Sequence, residues 1–510
     1  MSSPTSETDG LINALLQSNT KSPEEITEVL GVLSIALDGP QGAQVTQAVL
    51  SAVPLPNFFT FLESSSESVI NAAGIVLEKL LRAVTYVDIV SSELKDYFRL
   101  GLSSPLPKIC LLTLGQIEKC LTNEEYTIDL INSPLYDSVI EVIGNEDIPT
   151  ATRAADFVVK IAENPNGLQA IFDTRRIAHL NELSERNDTL KFRVIDLLSR
   201  IANISDEAFH LCESSGALYS IVTIFHSKDI LLRLNAVESF IQVAETPTGY
   251  MFLKRTRIIE SLIDMLALDE SDVVNVLLKC GAIKFFGRVE AVEFEELAQT
   301  HELLKKLAQL LESDNLEVKI TTVIVLGNIG STQRGLVLLD ASNTLQNFLN
   351  VYHASSGEVK LACLRSLSCF FDVSSSPQIT TTVLSLYASL SPTPLPTFLS
   401  LSSSALSEVR FAIFSIFVAL SKHSFARHDF FRSTYSRGFL DFILNRTTEK
   451  SKEGKEWKFS VVEALWKNQE ESDEGWDWEG GARVRDRLLK YIREGPFHVH
   501  TEAAVALESG

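Results

Sequence analysis

The chain has 510 residues, 45% of them hydrophobic, with 66 acidic against 45 basic side chains and a formal net charge of −21. That hydrophobic share can order most of the chain, while the negative balance disfavours a nucleic-acid partner, because phosphate binding needs a basic surface. Six scattered cysteines (110, 120, 212, 280, 363 and 369) read as small buried hydrophobes rather than a disulfide framework.

Residues 1–20 are expected to be a mobile start, acidic and Ser/Thr-rich up to Gly10, leading into a first helix at Leu11–Leu16. They lack the basic and apolar blocks of a signal peptide. The longest apolar run, Phe411 to Leu420, is broken by Ser415 and too short to cross a bilayer. The expectation is a soluble, cytoplasmic chain with no membrane partner, and a nuclear pool is left open.

From residue 21 to 468 one pattern recurs. The stretch Lys319 to Gly330 places Ile320, Val323, Leu326 and Ile329 on one helix face, and Gly330, Ser331 and Thr332 follow as a stop. Equivalent starts fall at Glu28, Ser68, Lys108, Arg153, Arg193, Arg233, Lys279, Lys319, Lys360, Arg410 and Lys458, at intervals of 40 to 50 residues. The first and fourth residues after each start are apolar in all eleven units, from Val29 and Val32 to Phe459 and Val462. Nine starts are Lys or Arg, which suggests the exposed edge where each helix begins. A helical period of this length is the signature of armadillo and HEAT repeats, which stack because no unit can bury its apolar face alone. The predicted fold is therefore all-α, an armadillo/HEAT-like α-solenoid of about ten or eleven units.

Within it, Ala162 to Leu168 and Ala244 to Gly249 resemble armadillo turns: a helix end, a turn, then the next helix. The Ser/Pro-rich segment 374–407 reads as a loop inserted into a repeat, with Val383 to Leu390 apolar enough for a short helix. Beyond the repeats, 469–481 reads as an acidic solvent loop carrying Trp476 and Trp478, and 482–510 as a C-terminal helix and tail. Phe459 and Trp466 share a helix face and are expected to be buried as the finishing cap of the last repeat.

No catalytic or phosphate-binding signature is present, so neither an enzyme activity nor a cofactor is expected. His498 and His500 lack a third metal ligand nearby. Glu290, Glu293, Glu295 and Glu296 read as the solvated side of a helix, and His423 and His428 as surface or capping residues. What remains is recognition. In an armadillo superhelix the third helix of each unit lines the concave groove, and its exposed positions are the fifth and ninth after each start. In the middle repeats these are Glu238, Gln242, Lys284, Arg288, Ile324, Asn328 and Arg365, a mostly polar line.

Three blocks carry a family resemblance: Gly281 to Val289 (GAIKFFGRV), Gly454 to Trp466 (GKEWKFSVVEALW) and Tyr491 to Thr501 (YIREGPFHVHT). With length and repeat spacing, they resemble the 26S proteasome non-ATPase regulatory subunit 5 family. That resemblance implies a helical solenoid without enzymatic activity that chaperones assembly of the proteasome base. It would bind the C-terminal domain of one ATPase subunit, with other base subunits as further partners, and be absent from the finished proteasome. Segments 374–407 and 469–481 depart from the family pattern. The alternative is an armadillo-type transport or scaffolding adaptor that binds peptides in its groove. Such a groove of the importin type needs regular Trp and Asn at the fifth and ninth positions, where this chain has no Trp and only Asn328.

Overall fold

A computed structural model describes residues 4–17, 21–90, 94–289, 291–374 and 376–498. Among them all regular structure is helical, without a strand. Eleven helices carry the eleven starts: α1 (Pro23–Asp38), α2 (Glu67–Leu80), α3 (Pro107–Ile117), α4 (Ile148–Ala162), α5 (Asp188–Ala202), α6 (Ile230–Val243), α7 (Val273–Phe286), α8 (Leu316–Ile329), α9 (Gly357–Phe371), α10 (Ser407–Leu420) and α11 (Lys452–Glu470). A last helix, α12 (Gly481–Glu494), packs on α11. Contacts divide the chain into two compact units, Met1–Thr223 and Ile224–Gly510. In the first, α1 to α5 pack side by side as a ladder, and in the second α6 to α11 do the same. Each unit is thus an armadillo/HEAT-like α-solenoid.

The ladder forms because each rung is apolar on the sides that meet its neighbours and capped where it begins. In α8, Val318, Val323, Val325 and Leu326 are buried, and the side chain of Asn315 accepts from the Glu317 and Val318 amides. Burial of this kind is worth about 1.5–3 kcal/mol per large aliphatic, enough to override the poor helix propensity of Ile, Thr and Val. The turns into the next repeat follow one design. Asn164, Thr246 and Thr332 each accept from the amide of a glycine three residues on, Gly167, Gly249 and Gly335. A Cβ on any of these glycines would overlap a carbonyl oxygen at the end of the preceding rung, at Ile161, Val243 and Ile329 respectively.

Of the nine basic starts only Lys108 and Arg153 are exposed; the other seven are half-buried or buried, so they do not form an exposed edge. Lys458 is fully buried and donates to the carbonyls of Phe442 and Asn445 and to the Thr448 hydroxyl, each at 2.6 Å. Those carbonyls end the helix Ser436–Ile443 just before it. Burial pulls this ammonium down to about 7, because its partners are carbonyls and a hydroxyl rather than a carboxylate. Lys360 likewise donates to Tyr352 O at 2.6 Å, Arg193 to Ile143 O and Asn145 O, and Arg410 to Ser404 O while gripping Glu449 in a two-pronged pair. Buried Lys279 pairs with Glu270 at 2.7 Å. The last carbonyls of a helix have no partner within it, so a cation brought to them serves both hydrogen bonding and the helix dipole.

Other expectations also change. Segment 374–407 is not an inserted loop: it holds the helices Pro377–Ser389 and Pro394–Leu401, whose prolines occupy helix-start positions where a missing N–H does no harm. Of the start expected to be mobile, Pro4–Leu16 is a helix, and residues 1–3 and 18–20 lie outside the described residues. Segment 469–481 folds back as turns rather than standing free. Phe431 packs against Trp476 and Trp478, Arg432 lies 4.8 Å over the Trp478 ring and pairs with Glu474, and Gln469 donates to Gly475 O. Trp466 and Phe459 are half-buried; Phe459 stacks on Tyr491 of α12, which supplies the finishing face. His423 is buried rather than on the surface, its Nε2–H donating to Phe371 O at 2.8 Å.

Two predictions follow from these ends. Lys458→Met leaves two carbonyls and a hydroxyl enclosed without a donor and should destabilise by about 2–4 kcal/mol; an unchanged thermal melting curve contradicts this. Burial, reinforced by Lys422 and Arg427, holds the His423 imidazole below its ordinary 6.5, so the folded state keeps it neutral. Its stabilisation is present above 6.5 and is lost as pH falls from there toward the depressed value, because the unfolded chain takes the proton first. Melting between pH 7 and 5 should show a shallower acid loss in His423→Gln than in wild type.

Candidate interaction face

Four neighbouring rungs of the second unit, α6 to α9, present the positions singled out in the sequence. The N-termini of α6, α7 and α8 are set by Asp229, Asp272 and Asn315, which accept from the Leu232, Val274 and Glu317 amides. Their spacing is set by small residues. A Cβ on Gly281 would lie 3.3 Å from Val237, and one on Gly327 only 2.7 Å from Ser366 Oγ and 2.9 Å from its Cα. Ser366 in turn donates to Val323 O at 2.8 Å, fixing α9 against α8. With these sides committed to packing, one stripe of each helix is left outward.

Glu238, Lys284, Ile324, Asn328 and Arg365 are exposed on that stripe, Arg288 is exposed in the turn just after α7, and Gln242 is half-buried. The structure also shows what the polar positions alone do not. Toward the N-termini of the same helices the stripe is apolar: Leu231 and Val273 are each 72% exposed, Leu316 53% and Ile324 42%, with Leu277 also exposed and Ile320 and Leu361 half-buried. Stepping back from the fifth position by fours and threes reaches these residues, so the helical period held the signal. The face has an aliphatic half and a half carrying Lys284, Arg288 and Arg365, the anatomy of a protein interface with a desolvated core and a charged margin.

Nothing comparable collects reactive groups. Among the described residues no set of three His, Cys, Asp or Glu side chains is placed to hold a metal ion. Glu295 and Glu296 are engaged by Arg334 and Lys254 of neighbouring repeats; Glu293 is half-buried, and Glu290 lies outside the described residues, as does His500. Five cysteines are buried and Cys369 half-buried, and burial pushes the Cys110 and Cys363 thiols up to about 11. Such thiols are poor nucleophiles at neutral pH. No described helix is long and apolar enough to cross a membrane by itself.

The sequence matches the family described as Proteasome non-ATPase 26S subunit over residues 8–510. It is 25% identical to the 26S proteasome non-ATPase regulatory subunit 5 of Bos taurus, across 91% of this chain and 94% of that one, and 25% identical to the Homo sapiens protein of that name, across 90% and 94%. The Drosophila melanogaster protein so named is 21% identical over 86% of each chain. A designed armadillo repeat protein, 17% identical, superposes with a TM-score of only 0.33 over 48% of this chain and 99% of its own, so the solenoid assignment stays with the helix ladder itself.

The close approach of α8 and α9 yields a test. Gly327→Ala forces the two rungs apart against Ser366 and should destabilise by about 1–3 kcal/mol. Full retention of the melting temperature contradicts the claim that small residues set the spacing of the face.

Proposed function

The chain belongs to the proteasome non-ATPase 26S subunit family, and on that footing we propose that it is a non-catalytic chaperone for assembly of the base of the 26S regulatory particle. It holds the C-terminal domain of one ATPase subunit and is absent from the finished proteasome, acting in the cytoplasm. The observation that supports this reading is the two-part face on α6 to α9: exposed aliphatics beside Lys284, Arg288 and Arg365, on helices otherwise occupied with their own packing. Aliphatic area such as Leu231, Val273 and Ile324 supplies affinity. The basic group selects and orients an acidic patch on the partner and raises the association rate.

The test is affinity for the isolated C-terminal domain of each ATPase subunit of the base, wild type against Lys284→Glu/Arg288→Glu, with circular dichroism confirming that both are folded. Both side chains are exposed, so folding should survive. The double reversal should weaken binding by about tenfold or more, and the wild-type on-rate should fall as salt is raised. Equal affinities would remove this face as the site.

A further inference from the structure

The first unit carries a second outward face of the opposite charge. On α1 the stripe reads Glu24, Glu28, Val32, Ile35 and Asp38, at spacings of three and four that align them on one side. On α2 the matching stripe includes Asn71, Ile75 and Glu78. The two helices lie in register: Thr27 and Ser68 hydroxyls are 3.3 Å apart, and Lys79 donates to Ser34 O at 2.8 Å and to Asp38 at 2.6 Å. A Cβ on Gly74 would lie 3.8 Å from Ile109, so α3 is the next rung, and Leu111 and Leu112 on it are half-buried.

At the centre, Ile35 is 74% exposed, Val32 48% and Ile75 38%. Isolated apolar side chains on a surface are ordinary, whereas a contiguous group rimmed by polar residues marks a contact site. The rim is acidic. Glu24, Glu28 and Glu78 are exposed, Lys79 is drawn inward onto Asp38, and Arg82 stands 3.7 Å from Glu78. Aliphatic centre and carboxylate margin together define the complement: a segment with aliphatics on one side and Lys or Arg on its flanks. An anionic lipid surface would be repelled by the same carboxylates.

We propose that this face of α1, α2 and α3 docks a basic amphipathic helix of a partner protein. The partner lies across the three rungs, its aliphatic side on Val32, Ile35 and Ile75 and its cations against Glu28 and Glu78. Three rungs at 8–10 Å spacing match a helix of about five turns. The proposal is independent of the reading of α6 to α9, since that face is basic where this one is acidic and each unit can be tested alone by substitution in the full chain.

The experiment uses the full chain and two labelled Leu/Lys peptides of about five turns, one with the leucines gathered on one side and one of identical composition with them scattered. Fluorescence anisotropy should show the gathered peptide binding at least about tenfold more tightly. Ile35→Ser/Ile75→Ser and, separately, Glu28→Lys/Glu78→Lys should each abolish that preference, with unchanged circular dichroism, while Lys284→Glu/Arg288→Glu leaves it intact. Equal binding of the two peptides, or a preference that survives Ile35→Ser/Ile75→Ser, overturns the proposal. It is equally overturned if light scattering shows a dimer that Ile35→Ser/Ile75→Ser dissociates, because the occupant is then a second copy. Binding to vesicles containing phosphatidylserine that the same variant loses would overturn it in favour of a lipid surface.

Discussion

A helix ends with carbonyl groups that nothing inside it can satisfy, and a protein built almost wholly of short helices has that problem many times over. Here cations solve it again and again. Lys458, Lys360, Arg410 and Arg193 bring their charge to carbonyls at or just beyond the end of a helix that precedes them in the chain. A second set works between rungs. Lys79 reaches Ser34 O on α1, Lys119 reaches Leu81 O and Val84 O beyond α2, and Lys422 reaches Asp372 O, while the neutral imidazole of His423 donates to Phe371 O at the end of α9. These bonds connect residues 35 to 52 apart in sequence, about one repeat. A stacked repeat thus supplies polar contacts as well as apolar area, and a solenoid's stability is shared between unit and interface in just this way.

The same constraint explains why function is left to an outer stripe. Two sides of each rung are spent on neighbours, closely enough that Gly327 faces the backbone of Ser366, and the ends are spent on capping. Only the remaining stripe is free to vary, and adjacent rungs align it into a surface. In the second unit that surface is aliphatic beside basic, in the first aliphatic beside acidic. On the reading proposed above, side chains so placed recognise another protein.

Much of the ladder was legible in the sequence because apolar spacing directly reflects burial: all eleven starts lie inside eleven rung helices. Of the seven positions picked by counting from those starts, six are exposed and Gln242 is half-buried. Polarity misled where it stood for exposure. Lys458 and Lys279 are buried because a neighbour offers acceptors, which no local pattern reveals, and His423 is enclosed for the same reason. Prolines misled where they stood for interruption, since Pro377 and Pro394 begin helices. The aliphatic half of the face was missed because only the fifth and ninth positions after each start were counted, and Leu231, Val273 and Leu316 lie before their starts. Burial depends on what the neighbouring repeat covers.

The account stands or falls on whether a partner covers the outward stripe of the rungs. Hydroxyl-radical footprinting of the full chain, free and bound to the C-terminal domain of the ATPase subunit proposed as its partner, measures this side chain by side chain. The account predicts strong labelling of Leu231, Val273, Leu277, Leu316 and Ile324 in the free chain and protection of these residues in the complex. A complex that forms with all five still fully labelled, and with protection confined to the helices between the rungs, would contradict it.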